Sequence, residues 1–370
     1  VPIQPVSGAS PVYDRPHQTA DQPIPLVAHD TDTRFTAPEA LLRLMGSPDI
    51  ASKRWIWEQY DSMVMADTVA GSGGDAAIVR IHGTNKALAL TSDCTPRYCE
   101  ADPMQGGMQA VAEAWRNLTA VGARPLAVTN CLNFGNPERP AIMGQFVGCI
   151  EGMAKACREL DFPVVSGNVS LYNETDGRAI QPTPTIGGVG LIEDLGRMGG
   201  MAWSEPDLTL VLIGESYGWV GASLYLREII GQEEGAPPPV DLAAERRNGD
   251  CVRQLIRDRL IDACHDLSDG GLLVALTEMC LAAKSGARLE LPKGLHSVMA
   301  WCFGEEQARY IIALKPEHCE AVMERARDDG VIARVIGTTG GDALTIGDHD
   351  PIPLGQLADA NEGWMPRFMA

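Results

Sequence analysis

The chain has 370 residues, of which 45% are hydrophobic, and it carries a formal net charge of -19 at pH 7. A single hydrophobic core stops growing at roughly 250 to 300 residues, so we expect two α/β domains. The negative charge argues against nucleic acid or an anionic membrane surface as a partner, because both would repel the protein.

The ten cysteines include no Cys-x-x-Cys pair, and several fall at apolar helical positions. This pattern is typical of reduced core cysteines, so we expect a cytoplasmic protein. No apolar run approaches the roughly 18 residues that a membrane-spanning helix needs, and no signal peptide opens the sequence. The first residue is Val1 rather than Met, which indicates a fragment or a processed product.

The sequence divides into an arm and two globular units. Residues 1–50 are rich in proline, which blocks regular backbone pairing, so we predict an extended arm. Residues 51–205 have the pattern of an α/β domain, in which apolar runs at 76–82 and 87–91 predict a β-hairpin. A second α/β domain is predicted over residues 206–370.

A strand-like run at 125–129 is followed by an apolar stripe of helical period over 143–160 and by a short apolar run at 164–165. This order predicts a crossover between two parallel strands, with ligand groups at the strand ends. The second run passes into Ser-Gly-Asn at 166–168, which predicts the end of a buried strand followed by a turn.

The segment 166–170 contains the parts of a contact with phosphate and magnesium. Gly167 lets a ligand approach the main chain, Asn168 supplies a neutral oxygen for a hard cation, and Ser170 supplies a hydroxyl. Taken alone, these residues are explained more simply by a tight turn that a locally bonded asparagine closes.

In the second unit, residues 241–259 predict a charged helix that faces solvent. A strand-like run then leads into His-Asp-Leu-Ser-Asp-Gly-Gly at 265–271, and another helix follows. Such a turn places backbone N–H groups and a positive dipole end where an anion could bind. The alternative is a helix cap at Ser268 or Asp269.

Seven distinct motifs, including the two segments just described, lie along the chain in this order: Pro11-Val-Tyr-Asp-Arg-Pro16, Glu58-Gln-Tyr-Asp61, Asp93-Cys-Thr-Pro-Arg97, Thr129-Asn-Cys-Leu-Asn-Phe-Gly-Asn-Pro137, Ser166-Gly-Asn-Val-Ser-Leu-Tyr-Asn173, Pro182-Thr-Pro-Thr-Ile-Gly187 and His265-Asp-Leu-Ser-Asp-Gly-Gly-Leu272. Together they resemble the second half of phosphoribosylformylglycinamidine synthase, the PurL-type ligase of purine biosynthesis. The resemblance runs nearly end to end, and so many motifs in one order are far more specific than a lone glycine pattern.

The resemblance implies the fold of the superfamily that PurL shares with PurM, in which a barrel-forming α/β domain carries a second α/β domain on its flank. It also implies a reaction. ATP and Mg²⁺ activate the amide oxygen of formylglycinamide ribonucleotide, and ammonia then displaces the phosphoryl ester to give formylglycinamidine ribonucleotide. The chain resembles only the C-terminal half of this enzyme.

By motif matching, the resemblance implies that Gly167 contacts ATP, Asn168 binds Mg²⁺ and Ser170 contacts the ribonucleotide. Position 130 would also contact ATP, but the family has Asp there, and Asn130 offers an amide without the charge. No catalytic residue is implied in this chain, because the family's catalytic histidine and most of its magnesium carboxylates belong to the N-terminal half. The isolated half is therefore expected to be inactive.

The implied partners are the N-terminal half, on the same or a separate chain, a glutaminase subunit and a small bridging subunit. Ammonia must come from another protein, because no motif here pairs a nucleophilic cysteine with a histidine as a glutaminase requires. A half-barrel that lacks its partner also predicts an exposed apolar sheet edge and a homodimer through the first domain.

Several polar residues allow two interpretations. His265 could act as a general base oriented by Asp266, or it could be a structural histidine that bonds the backbone of its turn. Asp266 and Asp269 could bind a cation in a second, non-catalytic nucleotide site, to which Glu113 and Asn117 could contribute. The alternatives are helix capping for the aspartates and a solvated helix face for the other two.

Two other functions remain open from the sequence. One is a non-catalytic nucleotide-binding scaffold or assembly subunit of the same superfamily. The other is a self-sufficient homodimeric relative, as the selenophosphate and thiamine-phosphate kinases are. Those kinases should carry a glycine- and carboxylate-rich loop near the N-terminus, and we recognise none in this sequence.

Overall fold

The computed structural model describes residues 8–9, 12–26, 34–63 and 65–370. The predicted arm thus lies partly outside the described residues, at 1–7, 10–11 and 27–33, and so does residue 64.

Within the predicted arm, residues 12–26 contain no helix or strand, but Ala37–Met45 form helix α1. The prediction of an extended, irregular arm is therefore wrong for residues 37–45. Thr36 and Glu39 form a capping box at its start, and Leu41 and Leu44 are fully buried. The caps and the burial outweigh the nearby proline, which is tolerated in the first turn of a helix.

The first sheet and its helices occupy the middle of the chain. The strands are β1 Thr68–Ala70, β2 Ala77–Arg80, β3 Ala87–Asp93, β4 Arg124–Asn133, β5 Val164–Ser170 and β8 Thr183–Ile192, with a separate two-stranded pair formed by β6 Glu174–Thr175 and β7 Arg178–Ala179. The helices are α2 Arg54–Trp57, α3 Pro96–Ala101, α4 Pro103–Ala120 and α5 Pro140–Glu159. The six strands lie in the order β1-β2-β3-β8-β4-β5.

A second sheet of seven strands follows, in the order β10-β12-β9-β13-β11-β14-β15. The strands are β9 Thr209–Ile213, β10 Ala263–Asp266, β11 Ala287–Leu289, β12 Tyr310–Leu314, β13 Ala333–Thr339, β14 Ala343–Ile346 and β15 Ile352–Pro353. Its helices are α6 Leu242–Arg257, α7 Gly271–Ala283, α8 Val298–Phe303, α9 Cys319–Asp328 and α10 Leu354–Met369, with short helical turns at Leu195–Arg197, Tyr225–Ile230 and Pro316–His318.

The predicted mixed α/β class is confirmed by these two helix-covered sheets. The predicted hairpin is the antiparallel pair β2 and β3, and the predicted crossover is β4–α5–β5, whose two strands are parallel. The domain boundaries at residues 51 and 206 stay predictions. Among the described residues, no helix combines the length and the apolar character needed to cross a bilayer.

Helix α4 is buried over almost its whole length, and it packs against α5, the first sheet, α6 and β10. Gly106 and Gly107 allow the close approach, since a Cβ at either position would overlap the backbone of Cys99 or Cys149. The helix consequently carries Glu113 and Arg116 into the interior, between the two sheets.

The prediction that residues 241–259 face solvent is wrong. Helix α6 buries one side, which includes Val252, Leu255 and the fully buried Glu245. Its apolar residues recur at helical spacing, and Glu245 is tolerated inside because Arg116 of α4 binds it at 2.7 Å.

Candidate functional site

Asn130 and Gly167 are register partners on the parallel strands β4 and β5. The side chain of Asn130 covers Gly167 so closely that a Cβ at position 167 would overlap Oδ1 of Asn130. Glycine is thus required at position 167 for as long as Asn130 keeps this orientation. The arrangement leaves the main chain of β5 accessible beside a polar side chain.

The predicted turn at residues 166–168 is wrong, because β5 continues to Ser170 and pairs with β4 as far as Asn133. The pairing satisfies the backbone in an extended form, so no local turn is needed. The strand is not buried either, since Val164 and Val165 are 48% and 71% exposed. Within the described part of the chain, β5 is one of the two edge strands of its sheet.

Asn168 is the register partner of Cys131, and its Nδ2 lies 3.8 Å from the Cys131 sulfur. Side chains alternate between the two faces of a strand, so Asn168 and Ser170 share one face while Asn130 and Gly167 share the other. The structure therefore brings the four predicted residues together, but on both sides of one strand. A ligand that touches all four must straddle the free edge of β5, where unpaired backbone groups are available.

Ser170 is held in place by Asn173, whose Nδ2 donates to the Ser170 carbonyl at 2.9 Å and to the Phe134 carbonyl at 3.1 Å. The Ser170 hydroxyl lies 3.2 Å from Oδ1 of Asn173. Between them, Tyr172 adopts a left-handed backbone with φ of 62°. The Ser170 hydroxyl also accepts from Nδ2 of Asn173 at 3.2 Å. A hydroxyl has two acceptor lone pairs, so one of them stays available to a ligand in a fixed position.

A second polar cluster, the interdomain ion network, lies where α3 and α4 meet the second sheet. Arg97 binds Asp269, and it also contacts the fully buried Glu305 at 2.8 Å. Tyr98 donates a short hydrogen bond to the same Glu305 carboxylate. Arg97 thus ties a motif of the first unit to the turn before α7.

Arg116 is the centre of the network and is fully buried. It binds Glu245 at 2.7 Å and Asp266 at 3.1 Å, and its guanidinium lies 3.5 Å from Glu113. The alternative of a solvated face for Glu113 and Asn117 is wrong, because both are buried.

The helix cap proposed for the turn before α7 is also wrong. Gly270 occupies the cap position without a side-chain hydrogen bond, and the Asp269 carboxylate binds Arg97 instead. The carboxylates that a second nucleotide site would need, those of Asp266 and Asp269, are therefore already paired with guanidinium groups.

His265 bonds side chains rather than the backbone of its turn. Its Nδ1 lies 2.7 Å from Asp75 and its Nε2 lies 3.2 Å from Glu278. Burial alone would lower the pKa of His265, but the Asp75 carboxylate and the two hydrogen bonds raise that pKa well above its usual value. The imidazolium form therefore acts as a structural cation between two carboxylates.

Asp93 and Glu113 are two neighbouring carboxyl groups beside this network. Burial raises the pKa of Asp93 to about 8. Burial and then the neighbouring Asp93 raise the pKa of Glu113 well above its usual value. The pair consequently holds a proton at neutral pH.

Arg116 and Asp75 were not anticipated from the sequence. A charged residue among the apolar positions of α4 is a signal that could have pointed to Arg116, because a buried cation needs carboxylate partners. Asp75 directly follows the glycine-rich stretch 71–74, so the chain does contain a glycine-rich loop with a carboxylate, contrary to the expectation from the sequence. Its partner His265 lies 190 residues away in the chain, so no local pattern joins the two residues.

Comparisons with known proteins agree with this architecture. The family model for the N-terminal domain of AIR synthase related proteins matches residues 73–192, and the model for their C-terminal domain matches residues 205–348. The chain is 54% identical over its whole length to the phosphoribosylformylglycinamidine synthase subunits PurL of Bradyrhizobium diazoefficiens and Methylocella silvestris, and it covers 50% of each. The chain thus spans about half the length of the curated relatives it matches.

Among solved structures, Thermotoga maritima PurL complexed with FGAR matches with a TM-score of 0.70 at 18% identity, over 87% of this chain and 53% of that one. The same protein complexed with ATP gives a TM-score of 0.66 at 19% identity, over 87% and 52% of the two chains. The resemblance inferred from the motifs is confirmed, and the matched length agrees with a half of such a subunit.

Proposed function

The chain belongs to the AIR synthase related family, and we propose that it is one half of an ATP-dependent carbon–nitrogen ligase of purine biosynthesis. The complete enzyme would convert formylglycinamide ribonucleotide and ammonia, released from glutamine, to formylglycinamidine ribonucleotide. The 54% identity to PurL subunits along the whole chain supports this reaction class.

The observation that carries the proposal is the contact of Asn130 with Gly167 at the open edge of β5. In our proposal the Asn130 amide and the Gly167 main chain contact ATP, Asn168 contacts Mg²⁺ and Ser170 contacts the ribonucleotide. The neutral Asn130 would hydrogen-bond to the nucleotide without repelling its phosphates. A carboxylate at this position would repel the phosphates unless a metal ion lay between them.

Mg²⁺ would supply charge stabilisation on the phosphoryl group that ATP transfers. The Asn168 carboxamide oxygen is of the type that this ion accepts, but one neutral ligand binds it weakly. The other ligands would come from the ATP phosphates, from water and from the N-terminal half. The chain's own contribution is to position substrate and nucleotide at one strand edge.

Because the candidate ligand residues all lie on β4 and β5, we propose different roles for the two domains. We assign ATP and substrate contacts to residues 51–205 and a supporting role to residues 206–370, which the interdomain ion network holds in place. The remaining partners in the proposal are the N-terminal half, a glutaminase subunit and a small bridging subunit. A homodimer through the first domain is the proposed state of the isolated half.

Reconstitution tests the proposal. The chain, the N-terminal half and their mixture are assayed for formylglycinamidine ribonucleotide formation with ATP, Mg²⁺, formylglycinamide ribonucleotide and ammonium chloride. We expect turnover only from the mixture. If the isolated chain forms product without the N-terminal half, the proposal that the two halves share one active site is wrong. A folded mixture that binds ATP without turnover instead favours the non-catalytic scaffold.

A further inference from the structure

The described arm segment 12–26 is docked on the first unit at a defined place. The backbone N–H of Gln18 donates to the Pro140 carbonyl at the start of α5, at 2.9 Å. The Gln18 carbonyl lies so close to α5 that a Cβ at Gly144 would overlap it. Glycine at position 144 therefore lets the arm cross the helix here.

This docking places Arg15 against the loop that follows β5. Its guanidinium lies 3.4 Å from the Tyr172 hydroxyl and 3.6 Å from the Glu138 carboxylate, and it stands 4.9 Å from the centre of the Tyr13 ring. Close charge-assisted pairs have separations of about 2.7 to 2.9 Å. Arg15 is thus held loosely, its side chain is 25% exposed, and most of its N–H donors remain available.

The position of Arg15 relative to the proposed ligands follows from the strand. Tyr172 comes two residues after Ser170, and its backbone N–H is fixed to the Gly135 carbonyl at 3.0 Å. A strand rises about 3.3 Å per residue, so Ser170 stands roughly 10 Å from Gly167 along β5. Arg15 therefore lies beyond the substrate end of the site, away from the proposed ATP contacts.

We infer that Arg15 binds the phosphate monoester of the ribonucleotide substrate. The Tyr172 hydroxyl, which donates to the Glu138 carboxylate at 3.2 Å, would turn to the phosphate as a second donor. The guanidinium fork matches two phosphate oxygens, and a phosphate dianion would replace the single, loose contact to Glu138. In a chain with a formal charge of -19, a cation at this point gives an anionic substrate a specific place to bind. The inference rests on the proposed function, since it takes Ser170 as a substrate contact.

Calorimetric titration of the reconstituted halves with ribose 5-phosphate tests the inference, with ribose as the ligand that lacks the phosphate. We expect Arg15→Gln to weaken ribose 5-phosphate binding about tenfold and to leave the response to ribose unchanged. Arg15→Lys should recover part of the loss, because it keeps the charge without the fork. Arg334→Gln, an exposed arginine on β13, is the matched control.

Equal affinity of wild type and Arg15→Gln for ribose 5-phosphate overturns the inference, and so does a failure of the wild-type complex to bind this ligand. Steady-state kinetics of the reconstituted complex distinguish an error in the role of Arg15 from an error in the proposed ligase function. If the complex forms product and Arg15→Gln keeps the wild-type KM for formylglycinamide ribonucleotide, only the role of Arg15 is wrong. If the complex forms no product but Arg15→Gln still weakens phosphate binding, the phosphate site stands and the ligase proposal fails.

Discussion

The carboxamide of Asn130 on β4 occupies the space in which a side chain at position 167 of β5 would stand. The two positions are therefore coupled. A change at either one moves the polar group that borders the open strand edge, although the backbone pairing of β4 and β5 stays the same.

On the proposed function, Gly167→Ala should displace Asn130 and disturb ATP binding in the reconstituted complex of the two halves. We expect kcat/KM for ATP to fall about tenfold or more, which corresponds to about 1.4 kcal/mol. The melting temperature should change little, because the strand lies at an exposed edge and the Asn130 side chain can rotate away. Steady-state kinetics and thermal melts measure both effects. Gly200→Ala is the control, since a Cβ there meets nothing within 4 Å. Unchanged ATP kinetics in Gly167→Ala would show that the coupling has no role in ATP binding.

Arg116→Met should destabilise the fold strongly. The change leaves the carboxylates of Glu245 and Asp266 buried without their cation, a loss that typically costs about 3 to 5 kcal/mol. Urea unfolding measures it. Arg124→Met is the control, because that arginine is half exposed and its contact with Glu193 is 3.5 Å long, so we expect less than about 1 kcal/mol. Equal effects of the two substitutions would exclude a stabilising role for the ion network.

Asp93 should make the protein less stable as the pH rises. Its pKa is about 8 in the folded chain against an ordinary value of 3.8. Between these values the unfolded state releases the proton that the folded state keeps, so the free energy of unfolding falls with increasing pH. Unfolding at several pH values should show a shallower decline for Asp93→Asn than for wild type. An unaltered slope in Asp93→Asn would contradict the assignment.

The isolated chain should self-associate through the edge of the first sheet. Val164, Val165 and Val169 are 48%, 71% and 53% exposed on a strand with one open side. Light scattering at high protein concentration should give a mass above that of the monomer. Val165→Lys should reduce it, because a charge on an edge strand opposes pairing. A strictly monomeric wild type at these concentrations would rule out the association.

Local sequence patterns were sufficient for the main elements of the fold. The spacing of apolar residues predicted the β4–α5–β5 crossover because helix α5, which joins the two parallel strands, buries one face at helical spacing. The same reasoning failed at β5, where polar Ser-Gly-Asn looked like a turn. There the hydrogen-bonded pairing of β5 with β4 keeps the backbone extended, and this pairing cannot be read from the residues of β5 alone.

The interdomain ion network was beyond sequence reasoning for a related reason. Arg116 meets Glu245 and Asp266 across 129 and 150 residues of chain, and only the packing of α4 between the sheets brings them together. The candidate ligand residues, in contrast, could be predicted from the sequence because they lie within two short motifs. Their distribution over both faces of β5 could be seen only from the strand pairing.

The dependence of turnover on Mg²⁺ concentration in Asn168→Ala tests the central claim most directly. In the reconstituted complex of the two halves we expect kcat to fall at least about tenfold, because the proposed metal contact on the transferring phosphoryl group would act mainly in the transition state. Added Mg²⁺ should recover part of the loss, while the melting temperature barely moves. Ser170→Ala is the control and should raise KM for the ribonucleotide without changing the Mg²⁺ dependence. Full activity of Asn168→Ala at limiting Mg²⁺ would contradict the account and leave β5 with a structural role alone.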